Sequence, residues 1–427
     1  MDDHSLSRRE FLIGATAATA AAWLSAQEIF AQDTTAVAPS GPAVACGVIG
    51  LGLRGKELLA TLARFPSASI AAICDNYEPA LTRGKESAPN AAALTDYQRL
   101  LDKKEVEAVF IATPSHLHKE IALAAALSGK SVYIEAPMAV TIDDCREIAK
   151  AGLACKQLFQ VGQQLRSSPL RKHVLAFVKT GALGAIAQTR AQWHKKTSWR
   201  RAASTPEREK ELNWKLSSST CAGLIGEVGL HQVDLISWYL DRTPVSVTGF
   251  GGILQWKDGR DVADTVQCVL EYPGGVRLVY DATLANSFDG AYELALGSDS
   301  AILMRGVRAW MVREADSPML GWEVYATKEK VGDESGIVLT ADATKHIEEK
   351  LGGGGEGGEA AKQPAADTAR DDLYYAVEEF LTNARGGGKP SCGALEGYRA
   401  AVTAIKANEA ITSGSKIAYQ KEWFELA

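Results

Sequence analysis

Gly50-Leu51-Gly52-Leu53-Arg54-Gly55 sets three glycines at G-x-G-x-x-G spacing, and the acid Asp75 follows about twenty residues later. That arrangement suits a dinucleotide. Gly50 permits a tight turn, Gly52 lets the backbone approach a pyrophosphate, and Gly55 allows close helix–strand packing. The helix that opens here offers unpaired N–H groups and a partial positive charge to the phosphates, and Leu51 and Arg54 lie within the same cradle. Asp75 can accept hydrogen bonds from both hydroxyls of a ribose. Its charge would repel a 2′-phosphate, so NAD is expected rather than NADP.

A second group of residues can move protons. In Gly226-Glu227-Val228-Gly229-Leu230-His231-Gln232-Val233-Asp234, Glu227 lies four residues before His231 and Asp234 three after it. On a helix that already runs from Glu227, all three share one face. Histidine near its reference pKa of about 6.5 exchanges protons close to neutrality. His231 is therefore expected as the base and Glu227 as its partner, with Asp234 beside the substrate or bracing the helix. Trp193-His194-Lys195-Lys196, Trp199-Arg200-Arg201 and Trp214-Lys215 interleave indoles with cations. Indole faces stack on sugar C–H faces, and cations bind hydroxyls or carboxylates. Trp193 is thus a candidate substrate contact, and His194 and Lys215 are candidate catalytic groups.

These residues need a scaffold. From Val44 the chain alternates strands and helices: Val44–Ile49, Ser69–Cys74, Val106–Ala112, Ser131–Ile134 and Leu158–Val161 are apolar runs, with helical spacing between them. Such alternation implies a parallel, doubly wound sheet. After about Arg166 the rhythm changes. Ala185–Trp193, Val245–Leu254, Val262–Tyr272, Val276–Leu284 and Tyr292–Leu296 read as strands joined by shorter loops, which predicts a mostly antiparallel sheet. The expected organisation is an NAD-binding Rossmann domain over 44–165 and an α/β domain over 166–427, with a flexible glycine-rich insert at 352–366 and helices at about 370–384 and 394–413.

Net charge is −6, with 46 Lys and Arg against 52 Asp and Glu, so nothing favours a nucleic-acid partner. The seven cysteines are scattered without CxxC spacing and predict neither a disulfide framework nor a metal site. Ser7-Arg8-Arg9-Glu10-Phe11-Leu12, followed by a weakly apolar run to Leu24, reads as a twin-arginine export signal over 1–31, with a linker over 32–43. The protein is therefore expected in the periplasm. No free nicotinamide pool exists there, so the cofactor is expected to be held tightly and recycled.

Thr113-Pro114-Ser115-His116-Leu117-His118 closes one strand, and Glu135-Ala136-Pro137-Met138 closes the next. With the glycine motif and the C-terminal pattern of Gly397, Asn408 and Ala410, the chain resembles the Gfo/Idh/MocA family of glucose–fructose oxidoreductases and inositol dehydrogenases. The resemblance spans essentially everything after the export signal. It implies a Rossmann domain followed by an α/β domain with a large, open, mostly antiparallel sheet, commonly a homo-oligomer. It implies that Thr113, Pro114 and His118 border the cofactor, that Glu135 meets the nicotinamide ribose, and that Pro137 shapes the strand end. Gln163 and Trp214 are implied at the cofactor and Arg166 on the substrate side. Most relatives carry Glu-Lys-Pro where this chain has Glu135-Ala136-Pro137. The lysine contacts the reacting hydroxyl, and a methyl group cannot replace it; Lys195, Lys196 and Lys215 are the candidates to supply an ammonium.

The expected function is an exported oxidoreductase passing hydride between a sugar or polyol carbinol and tightly bound NAD. The alternative is an NAD-dependent glycosidase or lyase that works by transient ring oxidation, elimination and hydride return.

Overall fold

Residues 42–319, 321–339 and 370–426 are described by a computed structural model. The expected export signal, the linker up to residue 41 and the glycine-rich insert lie outside the described residues.

The first sheet contains β1 (Val44–Ile49), β2 (Ala68–Cys74), β3 (Ala92–Leu94), β4 (Ala108–Ile111), β5 (Ser131–Ile134) and β6 (Phe159–Val161). Its order is β3-β2-β1-β4-β5-β6, and every neighbouring pair is parallel. Helices cover both faces, so β4 and β5 are buried at every residue and read as unbroken apolar runs. The strand order reverses between β1 and β4. In such sheets ligands bind beyond the carboxyl ends at the point of reversal. Gly50, Asp75, Thr113 and Glu135 follow β1, β2, β4 and β5 and so come to one edge.

The second sheet comprises β7 (Ile186–His194), β8 (Ser246–Gly252), β9 (Thr265–Glu271), β10 (Arg277–Thr283), β11 (Ala291–Gly297), β12 (Ser300–Arg305), β13 (Arg308–Arg313), β14 (Lys328–Val331), β15 (Glu334–Leu339) and β16 (Ile417–Ala418). The order is β14-β15-β13-β12-β11-β7-β10-β9-β8-β16. All neighbours are antiparallel except β7 and β10. Alternate residues such as Val266, Cys268 and Leu270 turn inward, where helices Leu230–Leu240 and Ala394–Ser413 cover them. Phe250 and Val279 face outward and are exposed. The fold is α/β, a Rossmann-like parallel sheet with a larger, mostly antiparallel one, as the sequence predicts. Strands β12 to β15 were not anticipated.

The C-terminal helices pack on both sheets. Helix Asp372–Gly386 sets Phe380 against Phe110 and Tyr133 of the first sheet, with ring centroids 4.8 and 5.7 Å apart. Gln160 on β6 donates to the Ala376 carbonyl at 3.0 Å. Helix Ala394–Ser413 packs Tyr398, Ala401 and Val402 on the first sheet's core and Ala407, Ala410 and Ile411 on the second's. This long helix therefore fixes the cleft between the sheets. Six of the seven cysteines are buried, and burial pushes the Cys46, Cys74 and Cys145 thiols up to about 12, so they pack as small apolar groups.

Candidate active site

The cradle has the steric form its glycines demand. Gly50 has a φ of +91°, and a Cβ there would come within 2.7 Å of the Ala112 backbone. A Cβ on Gly55 would lie 1.8 Å from the Gly50 carbonyl oxygen. Gly52 differs: nothing lies within 4 Å of its added Cβ, so the space before it is open for a ligand. Helix Leu53–Leu62 starts there without a side-chain cap, leaving its first N–H groups for an anion. Asp75 accepts from Leu51 N at 2.7 Å through one oxygen and from Tyr77 N at 2.9 Å through the other. Its remaining lone pairs are available to ribose hydroxyls.

Arg54 does not serve as a free phosphate ligand. Its guanidinium donates to Glu135 at 2.9 Å, Glu57 at 3.0 Å and Gln164 at 2.6 Å. It ties the cradle helix to the end of β5. Burial pushes the Glu135 carboxyl up, against the lowering effect of Arg54. His118 is likewise a positioning residue. Its Nδ1 sits 3.1 Å from the Pro137 and Met138 carbonyl oxygens, and its Nε2 sits 2.8 Å from that of Thr113. The ring packs between the two strand ends that flank the cofactor edge and, being neutral, donates to one of them. Thr113, Pro114, Glu135 and Ala136 line the cleft, whereas Pro137 and Gln163 lie beneath its wall. The buried Thr113 Oγ1 has no hydrogen-bond partner among the described residues.

Glu227 lies in a π-helical turn, Ile225–Gly229, that feeds helix Leu230–Leu240. Gly229 lets this turn press on Tyr280, whose Oη would lie 2.8 Å from a Cβ. The wider turn keeps Glu227 and His231 on the cleft wall together. Asp234 is excluded from that wall. Its two oxygens accept from Arg166 Nε at 2.7 Å and Nη2 at 2.8 Å, and both side chains are buried. Arg166 and Asp234, expected on the substrate side, instead form a bidentate brace behind the site.

Lys215 reaches Glu227 Oε2 at 3.2 Å, and its Nζ lies 5.2 Å from the ring centroids of both Trp199 and Trp214. Two indole faces hold the ammonium in place. The second carboxylate oxygen, Glu227 Oε1, and the His231 Nδ1 are buried without hydrogen-bond partners among the described residues. Burial, reinforced by repulsion from Arg54 and Lys215, pushes His231 down to about 4 rather than leaving it near its usual value. His231 is therefore neutral at pH 7, with Nε2 left to meet a ligand.

Period-two alternation along β7 decides which of its residues face the cleft. Trp193 and Lys195 line it, and His194 points to the opposite face. There His194 contacts Asp281 and the Phe288 carbonyl oxygen, outside the cleft. The segment after β7 crosses the cleft. On its short helix, Pro206–Leu212, Arg208 lies 4.0 Å over the Tyr77 ring beside Asp75. Arg171, Gln232 and Glu293 also reach the cleft wall. None of these four was singled out by sequence, because a lone Arg or Glu within a helix or strand reads as a surface charge. The cleft measures about 2110 Å³, enough for a dinucleotide and a sugar together. The open glycine, the bifunctional Asp75 and the orphaned Thr113 hydroxyl all fit NAD.

Burial pushes His118 and His173 down to about 4 as well. Their usual value is about 6.5 in an unfolded chain, so that chain binds more protons between about pH 6.5 and 4. Stability must fall as the pH drops through that window. The melting temperature should decline steeply there, and a His173→Leu variant should show a shallower decline. Superimposable acid profiles would refute this cause.

Residues 44–163 match the profile of the GFO/IDH/MocA oxidoreductases with an NAD-binding Rossmann fold, and residues 172–299 match that of the family's C-terminal domain. The 2,7-anhydro-N-acetylneuraminate hydratase of Escherichia coli (strain K12) is 25% identical over 259 residues, covering 60% of this chain and 66% of that protein. Inositol 2-dehydrogenase 2 of Saccharopolyspora erythraea is 29% identical over 232 residues, covering 54% and 63%. The chain thus spans less than two thirds of the length of these curated relatives. Levoglucosan dehydrogenase in complex with NADH and levoglucosan shares the fold at a TM-score of 0.70 and 19% identity, over 89% of this chain and 100% of that one. The chain belongs to the GFO/IDH/MocA family of oxidoreductases, with an NAD-binding Rossmann domain.

Proposed function

We propose that this protein is an exported oxidoreductase acting on a carbinol of a sugar or polyol, with NAD held tightly in the cleft. The observation that carries the reading is the meeting of a neutral His231 with the Glu227–Lys215 pair on the wall of the cleft into which the phosphate cradle opens. Bound there, NAD supplies the hydride acceptor and donor. The glycine cradle and Asp75 would hold its phosphates and adenosine ribose, and Thr113 and Glu135 would border its nicotinamide half. His231 Nε2 takes the proton from the substrate hydroxyl. The Lys215 ammonium stabilises the negative charge that develops on that oxygen, a task that Ala136 cannot perform. Glu227 fixes Lys215 from one side and the two indoles fix it from the others. Trp193 offers an apolar face to the sugar ring. The Arg208–Tyr77 contact spans the adenosine side and supports slow cofactor release. Export rests on the paired arginines Arg8 and Arg9, and a homo-oligomer on the broad exposed sheet face.

A second reading is favoured by one feature, the methyl group of Ala136 at the cleft. Under that reading, bound NAD would supply a transient oxidation of the ring that acidifies a neighbouring C–H, and would be restored after elimination of the aglycone and addition of water. The hydratase relative acts on an anhydro sugar, as its name states, which lends this reading weight.

The deciding experiment uses protein lacking residues 1–31 and a panel of free sugars and glycosides, with bound nicotinamide absorbance and released products followed together. Lasting reduction of the cofactor with an intact glycosidic bond supports the oxidoreductase. Repeated aglycone release without net reduction supports the second reading and sinks the first. Under either, Lys215→Met should lower kcat by about 10²-fold, as loss of a charge-stabilising donor does. NAD content should be unchanged. A change in KM alone would remove Lys215 from the chemistry.

A further inference from the structure

Beyond the acid–base residues, the same cleft reaches a polar group drawn from three separate elements. Arg171 is on helix Pro169–Lys179, Gln232 is next to His231 on helix Leu230–Leu240, and Glu293 is on β11. All three line the cleft and are more than nine-tenths buried. Gln232 Nε2 donates to Glu293 Oε1 at 2.9 Å and to the Gln192 carbonyl oxygen at 2.8 Å, which fixes the carboxylate on the sheet. Arg171 Nη1 donates to Asp372 at 3.0 Å. The second arm of the guanidinium is not satisfied in the same way. Nη2 stands 3.8 Å from Glu293 Oε2, beyond hydrogen-bond range. Arg171 Nε and Gln232 Oε1 are buried with no partner among the described residues.

A buried guanidinium and a buried carboxylate that face each other without a hydrogen bond are costly unless something completes them. A hydroxyl can do so, because it accepts from the arginine and donates to the glutamate at once. An anion cannot, since it only accepts and would meet two carboxylates, Glu293 and Asp372, against one guanidinium. We infer that Arg171 and Glu293, held by Gln232, form a specificity subsite for a hydroxyl of a neutral sugar, which orients the ring on Trp193 beside His231. The inference rests on the sugar-binding reading of the cleft and narrows it to uncharged sugars. Two carboxylates, Glu293 and Asp372, face the single Arg171 guanidinium, so a further anion would be repelled.

The test measures binding, not turnover, so it stands apart from the choice of reaction. NAD-loaded protein is titrated calorimetrically with matched pairs: methyl glucoside against methyl glucuronide, and methyl galactoside against methyl galacturonide. In at least one pair the neutral member should bind about tenfold or more tighter, and its 6-deoxy analogue should lose a comparable factor if the primary hydroxyl occupies the subsite. Glu293→Gln keeps an acceptor for Gln232 and removes the charge, so it should reduce the neutral-over-anionic preference to within about threefold. Tighter binding of the uronide, no measurable binding of either neutral glycoside, or a preference unaltered in a folded Glu293→Gln protein would each overturn the subsite. Should that variant fail to fold, the wild-type comparison still decides. Neutral binding without any redox change would spare the subsite and count against the oxidoreductase.

Discussion

Replacing His231 by asparagine is expected to lower kcat about 10³-fold, within the range for loss of a positioned general base. NAD content and the melting temperature above pH 7 should change little, because the side chain faces the cleft and its Nδ1 has no partner among the described residues to lose. The wild-type pH profile provides a second check. With its pKa pushed down to about 4, His231 is in its base form throughout the neutral range. Sugar oxidation should therefore be flat from about pH 8 to 5.5 and should fall only as the pH approaches 4, with base lost by protonation below the pKa. An unperturbed histidine would give a limb near 6.5 instead. A limb at 6.5 that disappears in His231→Asn would keep His231 as base but refute its neutral, enclosed setting. Unchanged kcat in the variant would refute the assignment.

The second large effect concerns the cradle and divides its glycines into two kinds. Gly55→Ala drives a Cβ to 1.8 Å from the Gly50 carbonyl oxygen, so strand β1 and the following helix cannot keep their approach. That variant should be purified without NAD and melt lower even when compared with stripped wild type. Gly52→Ala meets nothing within 4 Å. It should melt like the stripped wild-type protein yet bind NAD at least about a hundredfold more weakly, because its methyl occupies the space the pyrophosphate needs. The loss would also appear as a smaller rise in melting temperature on adding NAD. Equal NAD affinity in Gly52→Ala and wild type would mean that the phosphates do not lie where the motif places them.

Much of this could be read along the chain. The G-x-G-x-x-G spacing, the apolar runs of the first sheet and Asp75 at the end of β2 are local signals, because each depends on residues close in sequence that must share one turn or one strand. Glu227, His231 and Lys215 were identifiable for the same reason, by residue type within short motifs. Tertiary structure decided the rest. It turned His194 away by the two-residue alternation of β7, which leaves Trp193 on the cleft side. It withdrew Asp234 to a brace with Arg166, a partner 68 positions earlier. It drew Arg54 of the cradle into a tie on Glu135, and it set the His231 proton affinity by burial. It also brought Arg171 to Glu293, which no motif joins. Sequence by itself determined which residues have the chemistry, because side-chain type and short spacing are local properties. Only the tertiary structure decided which of them act together, because burial, facing and charge partnership come from segments that meet in space after the chain has folded.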